Sequence, residues 1–187
     1  AAVAKVLYPR YVQALGMLLL IPAAYYLSII KNKKLIIGIW TAIIVSVTYF
    51  HYTIIFVPSD IPFPQVDRGQ YLEGWPAGWG IKDIVEIARR DSRSQKVVLL
   101  AEGNFGVSGD VLDTHLKPSD TNIAIDGKWP LDLPAIQEAQ KKYVDEKVYV
   151  VFSHTRVVPS DWPVTFVKKY DKPGDESEIL LYELRKE

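Results

Sequence analysis

KNKK, residues 31–34, separates two long apolar runs: YVQALGMLLLIPAAYYLSII before it and LIIGIWTAIIVSVTYFHYTIIFV after it. The first, residues 11–30, has 20 residues and no charge; the second, residues 35–57, has 23, with His51 its one group titrating near neutrality. As a helix, about 20 residues rise about 30 Å, the thickness of a bilayer core. Two such runs joined by a four-residue lysine-rich turn read as a helical hairpin through a membrane. A buried hairpin of a soluble protein is the competing reading, and apolar runs of this length favour spans.

The lysines also set an orientation. Short loops rich in Lys and Arg stay on the cytoplasmic side. Residues 1–57 then cross inward and outward again, and residues 58–187 lie outside the cytoplasm. Tyr49, Phe50, Tyr52 and Phe56 cluster toward the outer end of the second run, where an aromatic belt belongs. His51 reads as an interfacial histidine near the outer leaflet, with a polar group facing a cavity as the alternative. The expected localisation is a multi-pass protein of the cell membrane with an extracytoplasmic carboxyl-terminal domain.

Composition divides at the same place. All 22 acidic residues follow Val57, although the whole chain of 187 residues is formally neutral. Neutrality gives no footprint for nucleic acid. The absence of cysteine excludes disulfides and thiolate metal sites. The opening AAVAKVLYPRY leads into two apolar runs and lacks the single short run and cleavage site of a signal peptide. The expectation is a chain that continues upstream.

Residues 58–80, PSDIPFPQVDRGQYLEGWPAGWG, carry four prolines and no period. They read as an irregular connector near the membrane surface, with Trp75 and Trp79 suited to an interface. From residue 81 the pattern becomes regular. IKDIVEIARR places Ile81, Ile84, Val85 and Ala88 on one helical face. KVVLLAE is a buried-type strand, GDVLDTHLK a short helix stopped by Pro118, and TNIAID an alternating strand. Residues 133–146 read as a helix capped by Asp132, with Ile136, Ala139, Tyr143 and Val144 inward. KVYVVFS is a further buried strand, and VTFVKKY and EILLYEL flank the turn KPGDES. The expected fold is a membrane helical hairpin followed, over residues 81–187, by a small three-layer α/β domain. Its sheet is expected to be mostly parallel, with an antiparallel terminal hairpin.

Chemistry is sparse. EGNFG, residues 102–106, lies between a strand and a helix, where open α/β sheets bind ligands. It is neither a dinucleotide fingerprint nor a P-loop, and a plain strand-to-helix turn explains it as well. Asp110, Asp113 and His115 do not complete one helical face, so they read as a solvated surface and no metal is expected. His154 and Arg156 follow the last parallel strand at the same sheet edge as Glu102. Glu102, Asn104, His154 and Arg156 are weak candidates for an acceptor site. No nucleophilic triad and no carboxylate pair of the glycosidase kind stands out.

Several of these stretches carry a resemblance. YPRYVQALGMLLLIPAAYYL (8–27), DRGQYLEGWPAGWGIKDIVEIAR (67–89), LLAEGNFGVSGDVLDTHLKP (99–118) and NIAIDGKWPL (122–131) resemble the carboxyl-terminal end of bacterial membrane glycosyltransferases. The group is the dolichyl-phosphate-mannose protein mannosyltransferase-like one, glycosyltransferase family 39-like, of the GT-C type. The resemblance implies transfer of a sugar from a polyprenyl-phosphate carrier to a glycan, lipid or protein acceptor outside the cytoplasm. It implies the bilayer and the lipid-linked sugar as partners, and no separate cofactor. The family's catalytic carboxylate lies in a first outer loop that has no counterpart here, so no catalytic residue is carried over. Arg10 and Tyr11 are similar to the family's Arg/Tyr pair near the lipid phosphate, and a guanidinium does pair with phosphate through two parallel hydrogen bonds. The rival expectation is a membrane-anchored, non-enzymatic α/β binding module facing outward. A soluble nucleotide-binding domain is a third, weakened by the missing phosphate motif.

Overall fold

The structure is a computed structural model, and it describes residues 9–74, 76–103, 108–155, 157–174 and 177–186, with side chains from Leu15 onward. The chain divides into two compact units, Ala1–Arg68 and Gly69–Glu187.

The first unit holds two long helices, α1 (Pro9–Ile29) and α2 (Lys33–Phe56). The KNKK stretch breaks them apart. Asn32 is the residue that starts α2: its side-chain oxygen accepts the backbone N–H of Lys34 at 3.0 Å and of Leu35 at 3.3 Å. Two donors that the first helical turn leaves orphaned are thereby satisfied. α2 is long and apolar enough to cross a membrane, whereas the described part of α1, Leu15–Ile29, is a shorter apolar helix. Most of the described large apolar side chains of both helices are exposed, among them Leu18, Ile21, Ile37, Trp40, Ile44 and Ile55. His51, in α2, donates from Nδ1 to the carbonyl of Val47 at 2.7 Å, one turn back.

The connector is only partly irregular. Pro58–Asp60 forms a single 3-10 turn with Pro58 at its first position, and α3 spans Gln65–Tyr71 just after Pro64. Proline costs nothing at a helix start, where its missing N–H has no partner to lose. Arg68 ties the stretch together by donating to the carbonyls of Ile61 at 3.1 Å and Ser59 at 2.9 Å.

The second unit is an α/β domain. Its elements are α4 (Ile81–Asp91), β1 (Val97–Glu102), α5 (Ser108–His115), β2 (Ile123–Lys128), α6 (Leu133–Lys142), β3 (Lys147–Phe152), β4 (Val164–Asp171) and β5 (Glu178–Leu184). The sheet order is β2-β1-β3-β5-β4. β1 runs parallel to β2 and β3, whereas β5 runs antiparallel to both β3 and β4. The sheet is therefore mixed rather than mostly parallel. The expected terminal hairpin is present, and β5 inserts beside β3 so that half of the strand pairings are antiparallel.

Alternation along the strands builds two cores. Val97, Leu99 and Ala101 point to one face and meet Ile81, Ile84, Val85 and Ala88 of α4 and Leu112 of α5. Val98 and Leu100 point to the other and meet Ile136 and Ala139 of α6, with Val148, Val150 and Phe152. Helices on both faces explain why β1 is buried at every residue and carries no polar alternation. α6 stops at Lys142, shorter than expected; Asp132 caps it, accepting from Ala135 N at 3.1 Å, while Val144 lies beyond it and is exposed. The outer strand β4 is mostly exposed and carries Lys168, Lys169 and a register shift between Phe166 and Lys168. Charge and irregularity of that kind discourage edge-to-edge pairing.

Three carboxylates lash helices to strands, each taking one lysine and one tyrosine. Asp83 of α4 accepts from Lys168 and Tyr170, both at 2.6 Å. Asp91, at the other end of α4, accepts from Lys147 at 2.9 Å and Tyr149 at 2.7 Å. Asp126 of β2 accepts from Lys142 at 2.9 Å and Tyr143 at 2.6 Å. Partial burial works against the charge of Asp91, but the Tyr149 hydroxyl and the Lys147 ammonium outweigh it and hold the carboxyl down at about 2.

Candidate functional site

β1 lies between β2 and β3, so the chain passes from β1 to one side of it and then crosses back to the other. The β1–β2 crossover carries α5 on one face, and the β2–β3 crossover carries α6 on the other. The parallel strands β1 and β3 therefore end side by side at a switch point, the place where open α/β sheets hold ligands.

In this chain Glu102 fills that place. It is the last residue of β1 and only 3 % exposed. Its Oε2 accepts three backbone N–H groups from the segment after β3: Ser153 at 2.9 Å, His154 at 2.6 Å and Thr155 at 2.9 Å. Its Oε1 accepts from the Thr155 hydroxyl. Convergent backbone amides of this sort make an anion-holding nest. Here the anion is the chain's own carboxylate, and the bonds are charge-assisted. A second layer lies beside it: the Ser108 hydroxyl donates to the Glu102 carbonyl at 2.8 Å and meets the buried Ser153 hydroxyl at 2.8 Å.

Glycine geometry brings α5 close. Gly103 has φ of 104°, a left-handed conformation that suits glycine. A side chain at Gly109 of α5 would place its Cβ 3.2 Å from the Gly103 carbonyl oxygen.

Of the residues singled out in the sequence, Glu102 and His154 are brought together, through carboxylate and main chain. His154 is exposed, while the Glu102 carboxylate is committed to the loop. Asn104 and Arg156 lie outside the described residues, as do the side chains of Arg10 and Tyr11, whose backbone forms the first turn of α1. Asp113 and His115 are exposed on α5, and among the described residues no three of His, Cys, Asp and Glu group as a metal site.

Sequence reasoning passed over Trp129. It follows β2, is 59 % exposed, and its indole meets the His154 imidazole edge-on, with ring centroids 5.5 Å apart and planes 87° apart. The signal was present: a Trp-Pro step at the carboxyl end of a strand. Gly103 N–H donates to the Lys128 carbonyl at 2.8 Å, fixing the backbone just before Trp129.

No protein-family profile, curated protein or solved structure matches this chain.

Proposed function

We propose that this chain is the carboxyl-terminal part of an integral-membrane glycosyltransferase of the GT-C type. It would move a sugar from a polyprenyl-phosphate carrier to an acceptor outside the cytoplasm. The observation that carries the membrane part of this reading is α2. After Lys33 and Lys34 its 24 residues carry no further Asp, Glu, Lys or Arg, and most of its large apolar side chains are exposed, a surface that water does not tolerate and lipid does. The sugar chemistry rests on the resemblance of residues 8–27, 67–89, 99–118 and 122–131 to dolichyl-phosphate-mannose protein mannosyltransferase-like enzymes.

In this reading α1 and α2 are two spans with KNKK on the cytoplasmic side, which places the α/β unit outside. Arg10 and Tyr11 sit at the outer mouth of α1 and hold the departing lipid phosphate. An acidic residue of an outer loop elsewhere in the whole protein acts as the base on the acceptor. The α/β unit receives the acceptor and supplies no catalytic group.

The second reading is a membrane-anchored binding module without catalysis. The closed carboxylate of Glu102 favours it, since the one buried acid at the switch point is already spent on the fold.

The test uses membranes carrying the product of the whole open reading frame, incubated with radiolabelled polyprenyl-phosphate mannose or glucose. Transfer of label to an acceptor is expected, with a loss of about tenfold to a hundredfold for Arg10→Ala. Full transfer by Arg10→Ala would remove the phosphate role. Absence of transfer from either donor would leave the anchored module.

A further inference from the structure

We infer that the KNKK turn and the face of α2 below it form a binding site for one anionic phospholipid of the leaflet on the KNKK side. This rests on the membrane part of the reading above and on none of its sugar chemistry.

The turn carries charge with no internal counterpart. Lys31, Lys33 and Lys34 are exposed, and residues 1–57 contain no Asp or Glu. Among the described residues none of the three lysines enters an ion pair. Lys33 and Lys34 also stand in the first turn of α2, which holds no acid. The positive end of a helix dipole favours anions and repels such cations. Asn32 fixes this arrangement, since its side-chain oxygen accepts from the backbone N–H of Lys34 and Leu35. Three ammonium groups thus crowd one short turn, and an external anion relieves both their mutual repulsion and their repulsion by the helix end.

What lies below the lysines selects the kind of anion. Residues at i, i+4, i+7 and i+11 share one helical face. Counted from Lys33 these are Ile37, Trp40 and Ile44, which are 64 %, 51 % and 60 % exposed. From Lys33 to Ile44, both in α2, the helix rises about 16 Å. That is half of a hydrocarbon core about 30 Å thick. A cation at the head of an apolar stripe one leaflet deep matches a single lipid molecule. Its phosphate meets the ammonium groups, and an acyl chain lies along Ile37, Trp40 and Ile44. A soluble phosphate would leave the stripe bare, and an acidic soluble protein would reach the turn without reaching the stripe. Zwitterionic lipid brings a cation of its own against the lysines, so a head group of net negative charge is preferred.

The test uses the product of the whole open reading frame, purified and reconstituted in vesicles of phosphatidylcholine and phosphatidylglycerol. Bromine on the acyl chains of one lipid or the other quenches a tryptophan that those chains touch. Trp40 is read as the fluorescence lost in Trp40→Phe, which separates it from every other tryptophan. At equal mole fraction, brominated phosphatidylglycerol is expected to quench Trp40 several-fold more than brominated phosphatidylcholine, and to saturate. One lysine near an anionic surface corresponds to about fivefold in affinity. Lys33→Gln should therefore lower the preference by about that factor, with Lys31 and Lys34 left to hold the topology, and Lys33→Arg should keep it. Equal quenching by the two lipids would make the stripe ordinary lipid-facing surface and overturn the site. So would a preference that Lys33→Gln leaves unchanged. A preference abolished at matched ionic strength by inorganic phosphate or a polyglutamate peptide would seat a soluble anion at the turn, and overturns it as well. Trp40 quenched by neither lipid, in a protein that alkali does not strip from the vesicles, sinks this site and spares the membrane reading. A protein that alkali strips away sinks both.

Discussion

Glu102 Oε2 accepts the backbone N–H of His154 at 2.6 Å, and with it those of Ser153 and Thr155. One carboxylate oxygen thus closes the gap between the ends of two parallel strands.

Removing that acceptor leaves three N–H donors unmatched in a largely buried place. Glu102→Ala should destabilise the α/β unit by about 3 kcal/mol or more, since each orphaned buried donor costs about 1–3 kcal/mol. Glu102→Gln keeps a carbonyl oxygen but loses the charge, and should cost about 1–2 kcal/mol. Urea unfolding followed by circular dichroism reads the loss. Hydrogen exchange should show faster exchange at residues 153–155 in both variants. Unchanged protection there would show that the latch contributes nothing.

Lys172 is the second buried charged group to test. It follows β4, is 2 % exposed, and its Nζ donates to the Gly74 carbonyl at 2.8 Å. Beside it the Ser177 hydroxyl donates to the Glu73 carbonyl. The turn of the β4–β5 hairpin therefore clasps residues 73–74. Lys172→Ala should free that stretch and make it cleavable by protease under native conditions, with a stability loss of about 1–3 kcal/mol. Gly174→Ala should act the same way: φ is 97°, and the new Cβ would lie 2.8 Å from the Glu73 side chain. Resistance of both variants to cleavage would dismiss the clasp.

Acid should loosen the α/β unit through Asp91. Its carboxyl titrates at about 2 in the fold, against about 3.9 in an unfolded chain. A depressed acid stabilises the fold above its unfolded value and loses that contribution as pH falls toward its folded one. The window is about pH 4 to 2 and the contribution about 1–2 kcal/mol, discounted because the group is partly exposed. Asp120, held at about 2 by the Arg89 guanidinium and the Lys117 N–H, loses its contribution in the same window. Asp91→Asn should lower stability at pH 7 and flatten its pH dependence below pH 4. A variant with the wild-type acid profile would assign the window to other groups.

Topology is open to a direct test because the chain has no cysteine of its own. Lys31→Cys and Asp145→Cys each add one exposed thiol, in the turn and in the α/β unit. With the whole protein in intact cells, any cysteine outside these 187 residues replaced by serine, a membrane-impermeant maleimide should label Asp145→Cys alone. Lys31→Cys should react only after the membrane is permeabilised. Equal labelling of the two from outside would contradict the proposed orientation.

The sequence by itself determined the local elements, because periodicity and caps are local properties. Ile81, Ile84, Val85 and Ala88 share one helical face and are the residues α4 buries. Asp132 read as a cap and caps α6. KNKK read as a break between two apolar runs and is one, although the structure makes Asn32, more than the lysines, the start of α2. The length of α2 was likewise legible from composition alone.

Tertiary structure decided what depends on which segments meet. Nothing in EILLYEL states that it pairs with KVYVVFS as well as with VTFVKKY, and that pairing makes the sheet mixed. Glu102 read as the end of a strand and a weak candidate for an acceptor site. Only the register of β1 against β3 brings it under the N–H groups of residues 153–155. Trp129 and His154 stand 25 positions apart in the chain, and their rings meet because β2 and β3 flank β1 on either side and end at the same edge of the sheet. A sequence encodes the period of each segment directly, but it encodes such meetings only through the packing that all the segments find together.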